Sequence, residues 1–171
     1  LGGRRAMLKN IDMSYLSLQG QNLRQADFSG CMMTHMNLAG TNFQEAALYA
    51  CDLSDSNLYN TNFVRADLRG ARIENANLEG ADMAQADLRE GGSFGGGGYG
   101  KSQAVNFRGA NMTGVKLVGS MASKADFSDA ILVGANIAKA DLSGAQFEGA
   151  DLSNADVDGA QFKGANLKSA I

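Results

Sequence analysis

The sequence predicts an all-β fold, a four-sided parallel β-solenoid of about 7.5 coils carrying one Gly-rich loop insertion. Three observations predict it. Large apolar residues recur every five positions. A small residue stands two places before each of them, and usually an Asp or Asn one place before. The period slips once, across a glycine-rich stretch. The absence of Pro and Trp from 171 residues, beside 22 glycines, agrees with one local pattern used repeatedly.

In steps of five from Leu8, the first series runs through Met13, Leu18, Leu23, Phe28, Met33, Leu38, Phe43, Leu48, Leu53, Leu58, Phe63, Leu68, Ile73, Leu78, Met83 and Leu88. A second series runs from Phe107 through Met112, Leu117, Ala122, Phe127, Leu132, Ile137, Leu142, Phe147, Leu152, Val157 and Phe162 to Leu167, with Ala122 its one small member. We call this apolar position the centre. The small position before it is bulky at Ile11, Leu16, Gln21 and Met36, and the unit reads Ala-(Asp/Asn)-Leu-x-x.

Neither regular element can bury such a series. On an α-helix a residue five positions on lies roughly 140° off the starting face, so no stripe forms. On a flat strand an odd step flips the side chain to the other face. A chain that turns a corner every five residues, points the small and centre positions inward and closes four units into a square coil does bury it. Short Asp and Asn side chains suit the corners because they accept bonds from nearby backbone N–H groups.

This unit, repeated from residue 6 to 171 with one interruption, resembles the pentapeptide repeat family, which implies a right-handed quadrilateral β-helix. At a rung spacing of roughly 4.8 Å the rod would be about 35 Å long. Residues 1–171 are expected to form a single solenoid, with repeat blocks at 6–90 and 105–171 and an inserted loop at 91–104. Centres twenty apart should stack, so Phe43 is expected beneath Phe63, and Phe107, Phe127 and Phe147 in one ladder. Cys31 and Cys51, also twenty apart and both at the small position, are expected as stacked, buried free thiols. Solenoid ends need covers, and the expectation at the C-terminal coil is a cap or an end-to-end homodimer. A start at Leu1 and a stop at Ile171 in mid-pattern suggest part of a longer polypeptide.

Leu88 and Phe107 are 19 apart, which breaks the period, and the stretch between them contains Gly91-Gly92-Ser93-Phe94-Gly95-Gly96-Gly97-Gly98-Tyr99-Gly100. Glycine loses the most entropy on ordering, so an extruded loop of 14 extra residues is favoured over a distorted coil. Phe94, Tyr99 and Lys101 are its candidate partner-binding residues. Gly95, Gly100, Lys101 and Ser102 spell a phosphate-binding loop, but the chain returns to the repeat at Asn106 where a helix would have to begin.

Composition narrows function further. A net charge of −3, from 15 basic and 18 acidic residues, offers no basic field for direct nucleic-acid binding. The absence of a long apolar run or signal-peptide core gives no membrane association and makes the cytoplasm the default. With one His, His35, and two Cys, no zinc set, hydrolytic triad or cofactor is expected. Asp recurs as a turn residue, so no carboxylate pair stands out as an acid and base. The expectation is a non-enzymatic interaction or scaffolding surface for an unknown protein partner. Some family members mimic duplex DNA and bind type II topoisomerases such as gyrase, so the resemblance makes topoisomerase modulation the alternative. Counted by chain halves, 1–90 carry 11 acidic and 8 basic residues and 91–171 carry 7 of each, which shows no strongly negative rod.

Overall fold

The corners explain the rest of the architecture. The computed structural model describes residues 6–89, 91 and 104–171. In each unit the residue before the centre makes one isolated parallel bridge to its counterpart in each neighbouring coil, and the two residues after the centre turn the chain. Bridges join Met7 to Asp27, Asp12 to Met32, Ser17 to Asn37 and Asn22 to Asn42, and continue upward in the same register. Successive bridge residues are five apart and partners twenty apart, so the chain makes four sides before meeting itself. We number the sides I to IV by their first centres, Leu8, Met13, Leu18 and Leu23.

A three-residue straight segment between corners is too short for more than one bridge to each neighbouring coil, yet its backbone groups are paired on both sides. On side I, the centre N–H of Phe28 donates to Ala47 O of the next coil at 2.8 Å, and Ala47 N donates back to Ala26 O at 2.9 Å. At the corner, Gly30 N donates onward to Tyr49 O at 2.8 Å, and Cys31 N closes the turn on Phe28 O at 3.0 Å. The Asp or Asn before the centre accepts from the first turn residue, as Asp27 Oδ1 does from Ser29 N at 3.0 Å and Asn62 Oδ1 from Val64 N at 2.9 Å.

The second turn residue is left-handed throughout. Among the described residues, thirteen glycines and sixteen other residues occupy this conformation there, from Asn10 (φ 56°) to Ser169 (φ 57°). A positive φ at that place and an i to i+3 bond define a type II turn, which favours Gly or Asn. Non-glycines pay about 1–2 kcal/mol each for it, so coil pairing and core burial must outweigh a strain repeated along the rod.

Across the interruption the pairing offset changes. Arg72 pairs with Asn106, Asn77 with Asn111, Asp82 with Lys116 and Asp87 with Met121, each 34 apart, and the step of twenty resumes at Asn106 with Asp126. The offset exceeds one coil by fourteen residues. Gly91 lies buried against side I, where a Cβ would come within 2.9 Å of Arg69 O and Gly70 Cα.

Inside, the centres from Phe28 to Phe147 are buried on all four sides. Phe43 and Phe63 stack with centroids 5.4 Å apart and planes 7° from parallel. Phe107, Phe127 and Phe147 stack at 5.0 and 4.8 Å. Two contacts between sides escape a column-by-column reading: Phe28 meets Phe43 edge-on at 5.6 Å, and Phe147 meets Phe162 at 5.8 Å. Bulky Ile11 and Leu16 hold the small position of the first described coil and are 42% and 53% exposed, whereas Met36, enclosed by coils on both sides, is buried.

Most polar residues at the small position bond to the coil below, an exception being the buried Ser120, whose hydroxyl has no partner among the described residues. Thr41 Oγ1 donates to Leu18 O at 2.8 Å, Thr61 Oγ1 to Leu38 O at 2.9 Å, and Cys51 Sγ to Phe28 O at 2.8 Å, while Cys31 Sγ reaches Leu8 O. Ser56 Oγ spans one turn, donating to Met33 O at 2.8 Å and accepting from Met36 N at 3.0 Å.

Candidate interaction surfaces

Three residues of every unit face outward: the bridge residue and the two turn residues. Stacking at the register above makes each side a set of straight columns. On side II the bridge column is Asp12, Met32, Asp52, Arg72, Asn106, Asp126, Gln146 and Asn166. The adjoining left-handed column begins Tyr15, His35, Asp55 and Asn75. On side III the bridge column is Ser17, Asn37, Asn57, Asn77, Asn111, Ile131 and Asp151. Its amides link along the rod, with Asn57 Nδ2 donating to Asn37 Oδ1 at 3.4 Å.

Charge is divided by side. Among the described residues, sides II and III carry nine acidic residues and three basic ones; sides I and IV carry eight and nine. The three cations of side II are engaged: Arg72 with Asp52 (3.6 Å) and Glu74 (3.4 Å), Arg108 with Asp129 (3.0 Å), and Lys168 with Glu148 (3.0 Å). Side III has Glu79 and Asp151 and no cation among the described residues.

The other two sides are neutralised by ladders. On side IV, Glu45 receives Arg24, Arg65 and Gln25, the last at 2.7 Å. Hydrogen bonds from Gln25, Arg65 and Arg24 hold its carboxyl down at about 2. On side I, Arg69 forks onto Asp67 (2.8 and 2.7 Å) and lies 3.7 Å from Asp87, while Arg89 forks onto Asp87 (2.9 and 2.7 Å). Burial works to raise the Asp87 carboxyl, but the bonds and charge of Arg89 outweigh it and the group sits below its ordinary value.

The residues singled out from sequence fall in three places. Phe94, Tyr99 and Lys101, with the Gly95–Ser102 spelling, lie outside the described residues. Cys31 and Cys51 are free and buried, and burial pushes both thiols up. His35 is exposed, stacks on Tyr15 at 4.9 Å and lies 3.8 Å from Asp55. Sequence reading missed the exposed Tyr15, Met32 and Tyr59, and it missed the division of charge by side. Counting acids and bases by chain halves averages over all four sides; sorting them by position within the coil separates them. Among the described residues no group of three or more His, Cys, Asp or Glu is arranged to hold a metal ion, and no helix is long and apolar enough to cross a membrane.

The family model for pentapeptide repeats matches eight copies, over residues 11–54, 51–90, 103–137 and 130–168. The chain therefore belongs to the pentapeptide repeat family, whose members fold as right-handed quadrilateral β-helices. Two solved structures of QnrB1, a plasmid-mediated fluoroquinolone resistance protein, superpose on it. Both are of trypsin-treated single-substitution variants. One gives a TM-score of 0.71 at 18% identity, over 96% of this chain and 73% of that one. The other gives 0.67 at 20%, over 95% and 84%. At these identities the likeness is one of fold. A search of curated protein sequences finds no significant match.

Proposed function

We propose that this chain is a non-enzymatic, cytoplasmic protein-interaction solenoid that presents sides II and III to its partner. The observation that carries the reading is the excess of nine acids over three bases on two adjacent flat sides, against near balance on the others. Fields of one sign steer and orient a complementary partner, and a partner with a basic surface is the complement here. Exposed Met32 and Tyr15 add apolar contact at one end of side II. The free, buried Cys31 and Cys51 suit a reducing compartment. In this reading the rod has about 7.5 coils. Residues 91–104 are an insertion, and Phe94, Tyr99 and Lys101 supply a secondary contact.

Contact through screened surface charge implies salt sensitivity. Immobilised protein should retain a partner from cell extract at about 0.05 M salt and release it by about 0.5 M, because the screening length falls severalfold over that range. Retention unchanged by salt would sink the electrostatic reading.

The same acidic half favours one alternative, a DNA-mimicking modulator of a type II topoisomerase. The QnrB1 structures, described as those of a fluoroquinolone resistance protein, share this fold and support testing that alternative. Only two of the four sides carry the acidic excess, so we rank this second. A gyrase supercoiling assay decides it: inhibition or quinolone protection at micromolar protein supports it, and no effect on either excludes it.

A further inference from the structure

Over its first three described coils, side II carries an exposed patch that mixes rings, an apolar side chain and carboxylates. Its bridge column begins Asp12, Met32 and Asp52, and its left-handed column Tyr15, His35 and Asp55. Backbone bonds set the spacing. Tyr15 N donates to Thr34 O at 3.0 Å and His35 N to Ser54 O at 3.1 Å, so each left-handed residue is pinned to the coil above. The rings of Tyr15 and His35 therefore stack, 4.9 Å apart and 19° from parallel, and His35 Nε2 lies 3.8 Å from Asp55 Oδ2. Tyr15 is 76% exposed and Met32 51%.

His35 is the one His of the chain and sits at the middle of this patch. The coil below presents Tyr15 and Asp12 to it, and the coil above presents Asp55 and Asp52. One coil further stand Glu74 and Arg72, the latter 3.6 Å from Asp52 and 3.4 Å from Glu74. Across the corner, the side III bridge residues Ser17, Asn37 and Asn57 carry no charge. Asp12, Asp52, Asp55 and Glu74 against Arg72 leave three negative charges, and a proton on His35 would leave two. Carboxylates and phenols ordinarily titrate outside about pH 5–8 and an imidazole within it. The bond from Ser14 N to Asp12 Oδ1, 2.9 Å, moves the Asp12 carboxyl further below that window. In that range the patch therefore changes charge through His35.

Met32 and the two rings, rimmed by carboxylates, complement a segment in which cations flank an apolar side chain. We propose that this patch docks a basic segment of the partner and that the protonation of His35 releases it. With His35 neutral, cations of the segment pair with Asp12 and Asp55, two rungs apart or roughly 10 Å along the rod, and an apolar residue between them covers Met32 and the ring edges. With His35 protonated, the imidazolium engages Asp55 and repels the nearer cation. The inference rests on the acidic-side reading and narrows it to one place and one class of contact.

Fluorescence anisotropy of the full chain with two dye-labelled peptides, built on Arg-Leu-Leu-Arg and Arg-Ser-Ser-Arg cores, tests this at about 0.05 M salt and at about pH 7.5 and 5.5. The expected result is saturable binding of the Leu peptide at the higher pH, weakened severalfold at the lower pH, in Tyr15→Ala, in Asp55→Asn and for the Ser peptide. His35→Gln should bind alike at both pH values, and Glu148→Gln, further along side II, should bind as wild type does. Tyr15 and Asp55 are exposed, so their variants should keep the wild-type circular dichroism. The ring signals of the one His give a second readout: a bound cationic peptide should lower the midpoint of the His35 titration, because linkage is reciprocal. Equal losses in Glu148→Gln and Asp55→Asn would overturn the site while leaving the acidic-side reading standing. Absence of saturable binding, pH dependence kept by His35→Gln, or an unmoved His35 midpoint overturns the inference, as does a dimer of this chain that dissociates in Tyr15→Ala, which would assign the patch to a second copy.

Discussion

Each left-handed corner is a separate trade between strain and freedom, and the residues there differ in what they gain. Ala50, at φ 53°, has no side chain beyond Cβ to repay its conformation. Ala50→Gly should stabilise the fold by about 0.5–1 kcal/mol, less than the full strain because glycine is freer when unfolded. The reverse change separates strain from crowding. Gly134 has open space where an added methyl would sit, so Gly134→Ala should cost about 1 kcal/mol; Gly30→Ala should cost about the same, since the Asn10 Oδ1 its Cβ would meet is the tip of an exposed side chain that can turn away. Urea denaturation of the three variants gives the order. Glu45 adds a pH signature. Its carboxyl is held at about 2, below its ordinary 4.5, so its contribution is present above about pH 4.5 and is lost as pH falls towards 2. Glu45→Gln should flatten the stability profile over that window, and an unchanged profile would show that the Arg24–Glu45–Arg65 cluster has no linkage to folding.

The coil is the element of this fold, and it was legible beforehand because one period governs burial, turns and pairing together. Inward positions, stacked rings and buried thiols in register followed from counting by twenty. Contacts between sides, such as Phe28 on Phe43, did not, because they depend on how rings reach around a corner. The hydrogen bond from a polar small residue to the centre carbonyl of the coil below was equally hidden, since no linear spacing marks it. That bond makes Cys51→Ser tolerable within about 1 kcal/mol, as serine at Ser56 already makes it. Phe127→Ala, by contrast, empties the middle of a three-ring stack and should cost about 3–5 kcal/mol. Burial that raises the Cys51 thiol also predicts no reaction with a thiol reagent until the protein is unfolded; rapid labelling of the native protein would contradict the buried stack.

At the scale of the whole rod, register decides which charges share a side. The 34-residue offset carries side identity through the interruption, so residues before 90 and after 104 continue the same columns. Removing residues 91–104 would place Phe107 five positions after Leu88 and should leave a folded solenoid, read by an unchanged circular dichroism spectrum. The charge division was within reach of the sequence but needed that offset first, and a count by halves concealed it. The acidic pair of sides is the central claim, and its test leaves the fold intact: Asp52→Asn, Asp55→Asn, Asp126→Asn and Asp129→Asn remove four charges from side II while Asn still offers the Oδ1 that the corners at 52 and 126 require. The most direct measurement is quantitative affinity capture by wild type and by this fourfold variant from the same extract. The account predicts a protein enriched by wild type and lost at least tenfold in the variant; a partner held equally by both would contradict it.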